Sequence, residues 1–316
     1  MSAINISIVI PLYNKQNAIK TTLLSVLGQS YIHYEVIVVD DGSTDRSTQQ
    51  VLDIKDDRIR LIQKENCGVS SARNRGIQAA KYEYIALLDG DDLWEKNYLE
   101  EQVKLINDFP EAKMWGVNFA ETYSGKIIRD LPTGLSKKYR GYVYDYFLIK
   151  GRISDLFHSS AVVIKREVFE QVGYFDERIK YAEDNDMWFR IIATSKVVFY
   201  DNYLVKYVQD SENRAMNHLR ELKFFLPFYV DKYKCDIFKS NTIFYRWINH
   251  WCAIHLRKYF FEEIKGQRED AIVAVKKLDY EVIPNKYKYL FGLPYVFAYI
   301  LNKIDTYYHK LCSSQS

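Results

Sequence analysis

Three acids stand within four residues at Asp89-Gly90-Asp91-Asp92, directly after the apolar run Ile85–Leu88. In extended chain Asp89 and Asp91 project to the same side, so both can approach one hard cation. Mg²⁺ and Mn²⁺ take oxygen ligands and commonly bridge one or two carboxylates to a substrate's phosphates. Three adjacent acids repel one another, and a cation removes that cost. A solvated acidic turn before a helix starting near Glu95 is the plainer account. An EF-hand calcium loop does not fit, because Gly90 is at the wrong offset and a strand precedes it.

A second pair, Asp40-Asp41, leaves the run Val36–Val39 and precedes Gly42-Ser43-Thr44-Asp45. A tight turn and a helix cap account for the Gly, Ser and Thr. They do not call for two adjacent acids. A carboxylate at a strand tip can accept a hydrogen bond from a base imide N–H, which would read uracil or thymine. Further on, Asn66, Gly68, Ser70, Arg73, Asn74 and Arg75 surround a helix start. Such a terminus favours anions, and Arg can clamp a phosphate through two parallel bonds. A capped helix with two surface arginines would look the same. Finally, Glu183-Asp184-Asn185-Asp186 opens a segment whose Met187, Phe189, Ile191 and Ile192 suggest a partly buried helix. Acids suit the dipole there, and one of them can also act as general base for an incoming hydroxyl.

These residues need elements that bring them together. Apolar runs at Ile6–Ile10, Val36–Val39, Ile59–Ile62 and Tyr84–Leu88 alternate with helical spacing at Ala18–Leu27, Ser47–Ile54 and Ser70–Ala80. The alternation predicts βαβ units in an α/β fold with a mainly parallel sheet. Each run ends in a polar cluster, the first being Pro11-Leu12-Tyr13-Asn14. Ligands of open α/β sheets bind outside the carboxyl ends of the strands. All the clusters are therefore expected at one mouth.

The chain has 316 residues, 48% hydrophobic and 27% charged, enough to bury a core without disulfides or a structural metal. Collagen, long disorder and disulfide-rich scaffolds are excluded. Cys67, Cys235, Cys252 and Cys312 show no CxxC spacing, which argues for reduced thiols. No basic region precedes the first apolar run, so no signal peptide is expected. No stretch approaches the ~20 apolar residues of a spanning helix. The expected location is the cytoplasm or the inner face of its membrane. Neither GxxxxGK[ST] nor GxGxxG occurs, against a Walker-type NTPase or an ordinary dinucleotide enzyme. Charge divides unevenly: residues 1–216 carry 28 Lys and Arg against 31 Asp and Glu, and residues 217–316 carry 16 against 10. The last hundred residues also hold 22 of the 49 aromatics. We therefore expect one domain over residues 1–213 and a mostly helical, basic and aromatic segment over 214–316. That segment suits a membrane surface or an oligomer interface. No motif that reads RNA or DNA accompanies it.

Together SIVIPLYNKQNAI, VIVVDDGSTD, ENCGVSSARNRGI, YIALLDGDDLW and AEDNDMWFRI resemble the family 2 glycosyltransferases of the GT-A fold, over about residues 4–200. The resemblance implies a Rossmann-like sheet domain and inverting transfer of a sugar from a nucleotide diphosphate sugar, assisted by Mn²⁺ or Mg²⁺. It implies that Pro11 and Tyr13 lie beside base and ribose, and that Asp41 holds uracil with Asp40 in support. Asn66 and Arg73 become further nucleotide and diphosphate contacts. Asp89 and Asp91 fit the DxD motif, with Asp91 the direct metal ligand. Asp184 resembles the catalytic base, with Glu183 beside it. His158 and Ser159 floor the site, and Asp186, Trp188 and Arg190 lie near the acceptor or brace that loop. The implied setting is bacterial surface polysaccharide or lipid-linked oligosaccharide assembly.

Two departures from the family pattern matter. Gln16 stands where many members have Glu. Ile243 precedes Arg246-Trp247 where processive synthases carry the Gln of QxxRW, which points to addition of a single sugar. Two rival classes are weaker. A magnesium phosphohydrolase with Asp89 as nucleophile would need Thr or Val where Leu93 stands, and a non-catalytic sugar-binding module would not need every carboxylate.

Overall fold

The computed structural model describes residues 3–129, 135–136, 138–144, 146–147, 156–212, 221–261 and 266–292. The chain divides into two compact units, Met1–Leu219 and Arg220–Ser316.

The first unit is built on a ten-stranded sheet. β1 (Ile6–Leu12) and β2 (Tyr34–Asp40) are buried at every residue, which is why their sequences read as continuous apolar runs rather than alternating ones. β3 (Ile59–Gln63) and β4 (Tyr84–Leu87) flank them in the order β3-β2-β1-β4, and all neighbouring pairs are parallel. The connecting helices are α1 (Ile19–Leu27), α2 (Ser47–Leu52) and α3 (Val69–Ala79). α3 lies so close to the sheet that a Cβ on Gly76 would meet Val9 Cγ1 at 2.3 Å. Only glycine permits that approach.

Beyond β4 the sheet becomes mixed. β5 (Leu93–Trp94) pairs antiparallel with Val205–Lys206, and this delays α4 (Tyr98–Asp108) past the expected start near Glu95. β6 (Met114–Tyr123), β7 (Lys126–Arg129), β8 (Arg140–Tyr142) and β9 (Val162–Lys165) follow. Then come α5 (Glu167–Val172), α6 (Glu183–Thr194) and β10 (Val197–Val208). β9 runs antiparallel to both β4 and β6, and β10 runs parallel to β6. Strands β1 to β4, β6 and β10 therefore share one direction. Their carboxyl ends meet the amino end of β9 at one edge.

The second unit is mostly helical: α7 (Asp236–Lys239), α8 (Thr242–Phe260), α9 (Arg268–Val275) and α10 (Asn285–Gly292), preceded by 3₁₀ turns. Asn241 caps α8 by accepting the Phe244 N–H at 3.0 Å. Phe225, Phe244, Leu256, Phe260, Phe261 and Phe291 are buried, so part of the aromatic excess is this unit's own core. Among the described residues, no helix is long and apolar enough to cross a membrane.

Candidate active site

Arg73 is the centre of the site. It projects from α3, is 3% exposed, and spans two acids: one nitrogen donates to Asp89 Oδ1 at 2.7 Å and another to Glu183 Oε1 at 3.0 Å. The Phe175 ring lies 5.4 Å from the guanidinium, close enough for a cation–π contact. Asn74 holds that ring's loop by exchanging hydrogen bonds of 2.9 Å with the Phe175 backbone N–H and carbonyl. Burial opposes the charge on Arg73, but Asp89 and Glu183 outweigh it and raise its pKa. Asp89 is likewise opposed by burial, and Arg73 and His158 hold it below the ordinary carboxylate range. Glu183 goes the other way. Burial, reinforced by the charge of Asp184, pushes it up to about 7 despite the pull of Arg73.

Ala182, before α6, adopts a left-handed backbone at φ 61°, which costs roughly 1–2 kcal/mol for a residue with a Cβ. That turn sets the direction in which Glu183 and Asp184 leave the loop. Asp184 is half-buried and accepts its neighbour's N–H, Asn185, at 2.7 Å.

The acidic loop after β4 is arranged differently from the sequence expectation. Asp89, Asp92 and His158 each offer a ligand atom, all within 4.8 Å of one another. Asp91, expected as the direct metal ligand, is not in that trio; its carboxylate lies 2.7 Å from Lys15 Nζ. Asp92 is fully buried and accepts from Ser160 Oγ at 2.5 Å and from the Val208 N–H at 3.0 Å. Burial, with Asp91 and Asp89 nearby, pushes its carboxyl well above the usual range. Burial pushes the His158 imidazole below its ordinary pKa against the pull of Asp89, and its Nδ1 accepts the Ser160 N–H. Two carboxylates and an imidazole suit Mn²⁺ or Mg²⁺, and a cation there would offset the crowding that raises Asp92. Arg73 Nε and Ser159 Oγ are buried without a hydrogen-bond partner among the described residues. Such atoms suit a site that binds a polar ligand.

The remaining predicted residues fall into three groups. Asp40 and Asp41 shape loops. Asp40 accepts the Ser43 N–H at 2.9 Å and the Thr48 hydroxyl. Asp41 accepts the Gly68 N–H at 2.7 Å, the Cys67 N–H at 3.1 Å and the Lys64 ammonium. Gly68, at φ 96°, gives the backbone that aims its N–H at Asp41. Pro11 is buried at the end of β1, whereas Tyr13 and Asn66 are exposed. Trp188 and Arg190 do not reach the mouth. Trp188 is fully buried, and Arg190 is used up by Asp186 at 2.8 Å and by the carbonyls of Val172, Gly173 and Tyr174. Their role is to brace the loop before α6. Gln16 accepts the Arg46 N–H at 3.1 Å, a contact that needs a carbonyl oxygen and not a charge.

Sequence reasoning missed Ser160, Lys15 and Ser211, and passed over Asp92 within a cluster it had singled out. The direction of β9 and β10 brings in the two serines.

Known proteins agree with this architecture. S. aureus TarS, solved for residues 1–349 in complex with UDP-GlcNAc, superposes with a TM-score of 0.74 at 19% identity, covering 92% of this chain and 86% of that one. An uncharacterized glycosyltransferase of Rickettsia typhi is 33% identical over 222 residues, 68% of each chain. Escherichia coli WfgD, a UDP-Glc:alpha-D-GlcNAc-diphosphoundecaprenol beta-1,3-glucosyltransferase, is 39% identical over 102 residues, 32% of this chain and 40% of that protein. The model for glycosyl transferase family 2 matches residues 7–173. With the GT-A fold in place and more than half the chain matched, the protein belongs to glycosyl transferase family 2 and is a glycosyltransferase.

Proposed function

We propose that this enzyme transfers one sugar from a UDP-sugar to a hydroxyl of a lipid-linked glycan, inverting the anomeric carbon, in bacterial surface polysaccharide assembly. The observation that carries the reading is the Arg73 bridge, which sets a phosphate-binding cation between Asp89 and the Glu183–Asp184 pair. The relatives support donor and acceptor class: WfgD uses UDP-Glc and a diphosphoundecaprenol-linked sugar, and TarS was solved with UDP-GlcNAc.

In this reading Asp41 and Asn66 line the uracil end, with Pro11 and Tyr13 beside them and Asp40 holding the turn. Arg73 meets the diphosphate. Asp89, Asp92 and His158 would hold Mn²⁺ or Mg²⁺, which when bound supplies charge for the departing diphosphate. Preorganised charge of this kind is often the largest contribution in such sites. Asp184 takes the proton of the acceptor hydroxyl. The new C1–O bond forms as the C1–phosphate oxygen bond breaks, and the electron pair leaves with UDP. Glu183, tied to Arg73, keeps Asp184 in register with the donor, and His158 with Ser159 forms the floor. The basic second unit brings the enzyme to the inner membrane face, where a lipid-linked acceptor is presented.

Asp184→Asn keeps the side chain's shape and removes the proton acceptor. It should lower kcat by at least ~10²-fold while donor affinity stays near wild type. NMR of the wild-type product should show an inverted anomeric centre. Equal losses in donor binding and turnover would make Asp184 a nucleotide-site residue instead.

A further inference from the structure

Lys15, in the β1–α1 loop, makes a contact that the chemistry above does not use. Its ammonium lies 2.7 Å from Asp91 Oδ2, with the two side chains only 12% and 14% exposed. The same ammonium donates to the Glu212 carbonyl, and Ser211 Oγ donates to the same Asp91 oxygen. The Glu212 carboxylate accepts twice from Asn17, from the backbone N–H at 2.7 Å and the side-chain amide at 2.6 Å. Upstream, the Val208 N–H reaches Asp92 at 3.0 Å, the Gln209 N–H reaches the Thr122 carbonyl at 2.8 Å, and Asp210 accepts the Ser124 N–H at 2.9 Å. Residues 208–212 thus form a strap fastened at every position, and two of its fastenings are carboxylates of the acidic loop.

We propose that Lys15 is a positioning residue that competes with the divalent cation for Asp91, setting the site's cation affinity and coupling cation binding to release of the strap. The inference rests on the metal-assisted reading above. Its physical basis is that a dication ligated by Asp91 would sit beside the ammonium already on Oδ2, and like charges that close repel. A metal–oxygen bond of about 2.0–2.2 Å would place two positive charges against one oxygen. Release of Lys15 would free Asp91 Oδ2 to turn toward Asp89, Asp92 and His158. Because Lys15 also holds the Glu212 carbonyl, and Ser211 shares the contested oxygen, the strap loses both ties in the same event.

The test titrates Mn²⁺ into nucleotide-free, full-length protein, reading free ion by its EPR signal, alongside hydrogen exchange of the segment covering 207–212. Lys15→Met should bind Mn²⁺ about fivefold tighter, the scale of losing one competing ion pair. Lys15→Arg should keep wild-type affinity, and Ser211→Ala should tighten binding less than Lys15→Met. Exchange over the strap should quicken in Lys15→Met and in wild type at saturating Mn²⁺. Should Lys15→Met fail to fold, Lys15→Gln takes its place in the same titration. Wild-type affinity in the Lys15 variant overturns the proposal alone and leaves metal-assisted transfer standing. A wild-type protein that binds no Mn²⁺ overturns both. Strap exchange that ignores Mn²⁺ overturns the coupling.

Discussion

At Glu183, burial and the neighbouring Asp184 charge hold the carboxyl near 7, so the folded protein keeps a proton that the unfolded chain gives up near the ordinary value of 4.5. A group whose pKa is raised by folding contributes stability at low pH, and that contribution is lost as pH rises from about 4.5 through about 7. Glu183→Gln removes the titration. Its unfolding free energy relative to wild type should therefore improve between pH 5 and pH 8, measured by denaturant unfolding at both. A constant difference would show that Glu183 ionises normally. Arg73, Asp89 and Glu183 were singled out in the sequence because each belongs to a polar cluster at a strand end or helix start, and the structure brings the three side chains together. Of the two places expected for Trp188 and Arg190, beside the acceptor or bracing the loop, the structure has the bracing one, because proximity in a motif says nothing about depth. α6 starts at the mouth and descends about 5.4 Å per turn, so residues one or two turns on are already core. Lys15 was unreadable, since a lone lysine in a polar loop gives no sign of a partner 76 residues away.

The helix–strand contact between α3 and β1 tests the account at the level of elements. Gly76→Ala gains up to about 1 kcal/mol of helix propensity. Against that stands a Cβ contact of 2.3 Å with a branched side chain fixed on a buried strand. Overpacking of that kind typically costs about 1–3 kcal/mol and should win. Denaturant unfolding should give a lower midpoint with an unchanged slope, and a higher midpoint would mean that α3 is free to shift. The parallel half of the sheet was legible because its strands alternate with helices at short spacing. The mixed half was not. β6, β9 and β10 pair across long connections, and their directions follow from neighbours distant in sequence. The same directions carry Ser160 and Ser211 to the mouth.

At the scale of the whole molecule, the basic second unit was expected to meet anionic lipid. The apolar run Leu290–Ile304 lies outside the described residues beyond Gly292. Deleting everything after Pro284 would strip buried Tyr287, Leu290 and Phe291 from this unit's core, so charge reversal is the cleaner probe. Lys286→Glu with Lys288→Glu should weaken flotation with anionic liposomes at least about tenfold, given about 1 kcal/mol per basic residue near such a surface. Recovery in the soluble fraction regardless of lipid would leave the segment as core or oligomer interface. The central claim is metal-assisted transfer from a UDP-sugar, and its most direct measurement is UDP release. The wild-type enzyme should be incubated with a panel of UDP-sugars and a diphosphoundecaprenol-linked acceptor, with and without EDTA. The account predicts acceptor-dependent UDP release from one donor, abolished by EDTA and restored by added Mn²⁺. Full release after thorough chelation, or none from any UDP-sugar while another nucleotide sugar is consumed, would contradict it.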